Sequence, residues 1–97
     1  MAITSIVTLR FKPEFVAQAE QMVRSSLELA RGFEGNLGID VLVDQGDDTR
    51  WLLVERWESE AADSAYRAYR TEKGIRSELG PLLAGPPEVV KFNVSPA

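Results

Sequence analysis

The sequence predicts an α+β fold in which the elements run β-α-β-β-α-β. Three observations carry that expectation. Four segments are rich in β-branched residues or alternate apolar and polar side chains. Two longer segments between them repeat apolar residues at spacings of three and four. The cluster "DQGDDT" is a short turn between the second and third strand segments, so these two form an antiparallel hairpin.

The first strand is "ITSIVTLRF", with Ile3, Val7, Leu9 and Phe11 on one face beside Ser5 and Thr4, Ile6, Thr8 and Arg10 on the other. Pro13 then suits the first turn of a helix, where its missing N–H is not needed, and Glu14 suits the positive end of the helix dipole. Phe15, Ala19, Met22, Val23, Ser26, Leu27 and Ala30 share the apolar side of this first helix, which is expected to end near Gly32. After "GFEGN", Leu37, Ile39, Val41 and Val43 alternate with Gly38, Asp40, Leu42 and Asp44 in the second strand. The third strand spans Arg50 to Trp57. Ser59 is a natural N-cap for the second helix, whose inner side is read as Ala62, Ala65, Tyr66 and Tyr69. Gly74 interrupts it, Ile75 to Leu79 are read as a further turn or two, and "GPLLAGPP" closes the helical region. In "EVVKFNV", Val90, Phe92 and Val94 share one face of the fourth strand. The layout is ferredoxin-like, with two helices on one face of a four-stranded antiparallel sheet.

The third strand, "RWLLVERW", is unusual because both of its faces are apolar. Trp51, Leu53 and Trp57 fall in one phase with Glu55, and Leu52 and Val54 fall in the other with Arg50 and Arg56. Two helices cover one face of a sheet only, and a chain of 97 residues is too short for a third layer. The other face therefore calls for a second copy of the same sheet, packed by two-fold symmetry into a homodimer.

Composition narrows the chemistry. Residues 1–97 are read as one globular domain, with 44% apolar and 27% charged residues. The net charge of −4 disfavours nucleic acid and anionic membrane as partners, and the strands lack the exposed aromatics of an RNA-binding sheet. There is no cysteine and no histidine, which removes disulfides, thiolate nucleophiles, the commonest neutral-pH base and the commonest metal and haem ligands. Neither a metal site nor a cofactor is expected. "MAITSIVTLRFKPEF" does not read as a signal peptide and no apolar run is long enough to span a bilayer, so the protein is read as cytoplasmic.

The combination of "GNLGIDVLVD", "WLLVERWESEAADSAYRAYRT" and "GPPEVVKF" resembles the antibiotic biosynthesis monooxygenase domain, over roughly Ile3 to Val94. The most specific part is the acid-X-Trp strand end "ERW", followed by Ser and an Ala-rich helix with an aromatic residue on its inner face. The resemblance implies a dimeric α+β barrel, with a small-molecule cavity between each sheet and its helices. It also implies activities such as cofactor-independent oxygenation of aromatic polyketide hydroquinones and anthrones, quinol oxygenation, or haem degradation. This chain has Tyr66 where many members carry His and haem-degrading relatives carry Trp, and Arg76 near the place of the haem-binding His. With no histidine, the haem-degrading branch is not expected.

Tyr66 is the candidate catalytic residue, because its hydroxyl can hydrogen-bond a phenolate oxygen in an apolar cavity. The plainer role is an amphipathic core tyrosine. Trp57, Tyr69, Arg70 and Arg76 are the candidate substrate-binding residues. For Trp57 the plainer role is a plug at the strand-to-helix turn. The run Arg67, Arg70, Lys73 and Arg76 also reads as a solvated helix face, with Asp63 and Glu72 pairing Arg67 and Arg76 at i,i+4. Asp40, Asp44, Asp47 and Asp48 do not match a calcium loop and suit turn chemistry.

The reading that follows is a cofactor-independent monooxygenase of a small aromatic substrate (a phenol, anthrone or hydroquinone) with O₂ as co-substrate. A non-oxidative cyclase or isomerase on the same scaffold and a non-catalytic small-ligand-binding dimer remain open.

Overall fold

The computed structural model describes residues 1–75 and 77–97. Four strands, β1 (Ile3–Arg10), β2 (Asn36–Asp44), β3 (Asp47–Trp57) and β4 (Glu88–Asn93), form one antiparallel sheet in the order β2-β3-β1-β4. On one face lie α1 (Val16–Ser26), the single turn α2 (Glu28–Arg31) and α3 (Glu60–Glu72). The predicted ferredoxin-like layout is the observed one. Among the described residues, no helix is long and apolar enough to cross a membrane.

Burial settles the phase of each strand. Ile3, Ser5, Val7 and Leu9 of β1 are buried, as are Trp51, Leu53, Glu55 and Trp57 of β3. The register pairs them in order, Ile3 with Trp57, Ser5 with Glu55, Val7 with Leu53 and Leu9 with Trp51. Phe11 continues this face past the strand end and meets Trp51 edge-on, ring centroids 5.2 Å apart. Ala19, Val23, Leu27 and Ala30 close the core from the helical side.

The opposite phase forms the uncovered face. Leu42 pairs with Leu52, Val54 with Ile6, Ile6 with Val90, and Thr4 with Phe92. Side chains that pair across antiparallel strands share a face, so Leu42, Leu52, Val54, Ile6, Val90 and Phe92 form an apolar stripe that reaches all four strands, with Thr4 and Thr8 within it. Leu42, Val90 and Phe92 are each about half exposed, at 48%, 52% and 50%. The two apolar faces of "RWLLVERW" thus have separate fates, the Trp face under the helices and the Leu52–Val54 face away from them.

Several local expectations change. The first helix is not continuous from Phe15 to Gly32. Pro13–Phe15 form a 3₁₀ turn, and the helix breaks at Leu27 between α1 and α2. At the break the Val23 carbonyl accepts both the Leu27 N–H at 3.1 Å and the Ser26 hydroxyl at 3.0 Å. The hairpin turn is tighter than the sequence suggests, because β3 already begins at Asp47 and Asp44 Oδ1 accepts the Gly46 N–H at 2.8 Å. No helix forms among the described residues between Ile75 and Leu79; the next helical element is a 3₁₀ turn at Gly80–Leu82.

The start of α3 is fixed on two sides. Ser59 Oγ accepts the Ala62 N–H at 3.1 Å, the expected cap. Gly35, at φ 90°, brings the turn before β2 against this helix end and accepts the Glu58 N–H at 2.8 Å. A Cβ at Gly35 would fall 2.5 Å from the Ala62 Cβ, so the approach needs glycine twice over, for conformation and for space. Ala65 is exposed, and the residues that α3 buries are Asp63 and Tyr66. Both lie over the middle of the sheet.

Candidate functional site

One polar row crosses the middle of the sheet's inner face. Ser5 of β1 pairs with Glu55 of β3 on one side and with Lys91 of β4 on the other. α3 lays Asp63 and Arg67 across this row. Ser5 Oγ donates to Asp63 Oδ2 at 3.1 Å, and Lys91 Nζ lies 3.0 Å from the same oxygen. Arg67 donates from Nε to Asp63 Oδ1 at 3.1 Å and from Nη2 to Glu55 Oε1 at 2.8 Å. Glu55 Oε1 also accepts Trp57 Nε1–H at 3.3 Å. Two almost fully buried carboxylates are thereby held by a guanidinium and an ammonium, the arrangement that makes buried charge tolerable. Lys91 bonds Glu60 Oε1 as well, at 3.0 Å; these contacts raise the Lys91 pKa, and the same bond lowers that of Glu60.

Tyr66 follows one turn along the buried side of α3, and its ring is clamped. The Trp57 ring lies 5.4 Å away at an interplanar angle of 31°, Phe33 meets it edge-on at 5.3 Å, and the Arg67 and Arg70 guanidiniums stand 5.2 and 5.8 Å from its centroid. Arg70 Nη1 donates to the Tyr66 hydroxyl oxygen at 2.9 Å. The hydroxyl therefore keeps its own proton for another acceptor. Among the described residues no carboxylate pairs with Arg70, so its charge has no counter-ion of its own.

These groups share a hollow of about 230 Å³ between sheet and helices. Val7, Leu9, Leu27, Leu53 and Leu79 supply apolar wall, and Glu55, Tyr66, Arg67 and Arg70 supply polar wall. The mixture of apolar surface with a few convergent polar groups is what small-molecule sites share. A larger hollow, about 560 Å³, lies between α1 and the β2–β3 side of the sheet. Its cations are already engaged, Arg24 by Glu20 at 2.8 Å and Arg31 by the Ile39 carbonyl at 2.9 Å. We assign the candidate site to the smaller hollow because its polar groups converge.

The residues singled out from sequence separate in the structure. Tyr66 and Arg70 stand together on the wall of the hollow. Trp57 has 0% of its surface exposed and stands behind Tyr66, not on that wall. Tyr69 packs on Phe33 at 5.5 Å, with Lys73 Nζ 5.9 Å from its ring, and is also off the wall. Arg76 lies outside the described residues. The Asp63–Arg67 pair forms as spaced, yet Asp63 is fully buried, so only the basic half of the pair meets solvent.

Glu55, Asp63, Ser5 and Lys91 were not among the expected site residues, although the strand pattern held a signal for two of them. Ser5 and Glu55 are the polar residues in the apolar phases of their strands. A charged side chain at an inward position needs a partner, and that was the available signal.

A four-stranded antiparallel sheet with its helices on one face, and a hollow of mixed apolar and polar wall between the layers, defines a ferredoxin-like α+β protein. The chain belongs to the antibiotic biosynthesis monooxygenase family, whose model matches residues 2–74. It is 27% identical over 84 residues to "Putative monooxygenase YcnE" of Bacillus subtilis (strain 168), spanning 87% of this chain and 84% of that protein. A conserved protein from Methanosarcina mazei Go1 superposes with a TM-score of 0.84 at 20% identity, covering 98% of this chain and 94% of the other. A variant of SnoaB, described as a cofactor-independent oxygenase from Streptomyces nogalater, gives a TM-score of 0.83 at 14% identity, covering 99% and 95%. At these identities the two solved structures establish likeness of fold.

Proposed function

We propose that the chain is a cofactor-independent monooxygenase of a small, electron-rich aromatic substrate. The observation that carries this reading is the Arg70–Tyr66 pair: a cation without a carboxylate partner bonded to a buried hydroxyl on the wall of an otherwise apolar hollow. Such a pair favours an oxygen anion, here a phenolate or enolate, over its neutral form. An ionised phenol, anthrone or hydroquinone can itself give an electron to O₂. The new C–O bond then forms on the substrate, and the second oxygen atom leaves as water with the protons of one C–H and one O–H. The protein's part is to hold the substrate, favour its anion and keep water out. The description of SnoaB as a cofactor-independent oxygenase agrees with this chemistry.

The volume of about 230 Å³ lies below the roughly 300–1,000 Å³ of drug-sized sites, which favours one- or two-ring phenols and hydroquinones over larger polycycles. The assembly we infer is a two-fold homodimer formed by packing the Leu42, Leu52, Val54, Val90 and Phe92 faces of two sheets together. It would leave the hollow intact, because the stripe and the hollow are on opposite faces.

Oxygen consumption with simple hydroquinones and with dithranol, in the presence of a metal chelator, tests the reading. Saturable uptake with one product per O₂ is expected. Saturable binding with no uptake from any of these substrates would replace the reading with a ligand-binding dimer. Product formation without O₂ would replace it with a cyclase or isomerase.

A further inference from the structure

We infer that Glu55 is the base that takes the proton from the substrate, an inference that rests on the monooxygenase reading above. Glu55 is 3% exposed and lines the same hollow as Tyr66 and Arg70. Both of its protein hydrogen bonds, from Arg67 Nη2 at 2.8 Å and from Trp57 Nε1 at 3.3 Å, fall on Oε1. The described residues bring no donor to Oε2, and Oε2 is not among the sealed, unpartnered side-chain atoms. A carboxylate this deep that keeps one accessible oxygen free of protein donors can accept a proton from a bound ligand. Glu55 lines this ligand-sized hollow, and the unengaged oxygen is the proton acceptor that the inference assigns.

The rest of the network positions it. Arg67 fixes Oε1 from above, and Arg67 is itself fixed by Asp63, which Ser5 and Lys91 hold from the sheet. Glu55 therefore cannot swing away without breaking two bonds. Arg67 also stands 5.2 Å from the Tyr66 ring, so the acceptor for the proton and the receptor for the anion flank one guanidinium. In the step, the phenolic or enolic O–H breaks, its electron pair stays on the substrate oxygen beside Tyr66 and Arg70, and the proton bonds to Glu55 Oε2. The proton leaves later with the departing water. A carboxylate is a weak base for a phenol, and the Tyr66–Arg70 receptor offsets this by stabilising the anion, as oxyanion donors do for carboxylate bases elsewhere. The charged groups around Glu55 are Arg67, Asp63 and Arg70 of α3 and Lys91 of β4. With Glu60 further out, their charges nearly balance.

The test is Glu55→Gln, which keeps shape and can still accept from Trp57 and Arg67. At pH 7 its kcat for oxygen uptake with a hydroquinone is expected to fall by about 10²–10⁴-fold, the usual contribution of a positioned base. KM should change little. The deficit should shrink as pH rises through the substrate's own pKa, because the variant then receives substrate already ionised. An unchanged kcat at pH 7, or a deficit equal at every pH, overturns the inference while leaving the oxygenase reading in place; a positioning role acting through Arg67 gives the second result. Wild-type protein supplies an independent measurement should the variant not fold. Below the substrate's pKa its rate should vary by less than tenfold per pH unit. Strict tenfold tracking of the free phenolate would mean that the protein supplies no base, and it too overturns the inference. No uptake by wild-type protein from any substrate overturns both.

Discussion

The Arg67 guanidinium meets the Glu55 carboxylate at 2.8 Å, joining a helix to the middle of the sheet that it covers. The same guanidinium holds Asp63 at 3.1 Å, so a single side chain serves one acid from each layer. Glu55 and Asp63 are buried, whereas the Arg67 side chain is 40% exposed. The network is therefore sealed below and wet above. This asymmetry governs how far each of its members can be changed.

Arg67→Met keeps most of the stem packing and removes the charge shared by the two acids. Breaking a fully buried pair costs about 3–5 kcal/mol. Water reaching the half-open site replaces part of that interaction, so we expect about 1–3 kcal/mol of destabilisation. Urea denaturation at pH 7 measures it. A change below about 0.5 kcal/mol, the ordinary range for surface substitutions, would mean that solvent or Lys91 fully replaces the guanidinium.

Lys91 ties the edge strand β4 to α3 through Glu60 and Asp63, and these bonds raise its pKa above the ordinary lysine value of 10.5. A raised value means that the folded state binds this proton more tightly than the unfolded chain does. The contribution is complete below pH 10.5 and is lost as pH rises through the higher folded value. For Glu60, lowered from 4.5, the contribution is present above that value and is lost as pH falls through the folded one. The stability difference between wild type and Lys91→Met should accordingly stay level from neutral pH to about 10 and shrink above it, the mark of a titrating partner. A difference that persists unchanged through pH 11.5, about one unit past the ordinary lysine value, would assign the effect to packing of the lysine stem.

The strands and their order were legible because side-chain alternation reports burial directly, as at Ile3, Val7 and Leu9. The Ser59 cap was legible because it is local chemistry. The polar row was not, because Ser5 and Glu55 are 50 residues apart in sequence and only the β1–β3 register places them side by side. Asp63 misled for a related reason: Asp63–Arg67 has the spacing of a solvent-exposed helix pair, and the sheet beneath turns it into a buried one. The phase of β3 was ambiguous while both faces were apolar. The structure puts inward the phase with the two tryptophans, together with the one acid for which α3 carries a guanidinium.

Leu52 faces away from the helices, opposite Leu42 on β2 and Thr8 on β1. Leu52→Glu places a charge in the middle of the apolar stripe while leaving the core untouched. Wild-type protein at micromolar concentration should show twice the chain mass by light scattering, and the variant should show the chain mass. A stable dimer through this face should bury at least about 1,200 Å² in total, an area that a central charge disrupts. Wild-type protein at the chain mass would refute the sheet-to-sheet assembly.

Tyr66→Phe removes one oxygen and retains the ring that Trp57 and Phe33 clamp at 5.4 and 5.3 Å. Its effect on folding should be small, because the lost bond leads to Arg70, a half-buried side chain that water can still reach. Its effect on turnover should not be small. In the proposed reading the hydroxyl, held by Arg70, donates to an anionic substrate oxygen, and a hydrogen bond to a charged group contributes roughly 1.5–3 kcal/mol. If that interaction is made in the transition state, kcat/KM for oxygen uptake should fall by about 10- to 150-fold. Trp57→Phe should divide the other way, with a loss of stability from the void left beside Tyr66 and a smaller change in kcat. Arg70→Met separates the two parts of the receptor: it should weaken binding of anionic substrates more than that of neutral analogues of the same size. Turnover in Tyr66→Phe equal to wild type would leave Tyr66 a core residue and pass the anion-binding role to Arg70 alone.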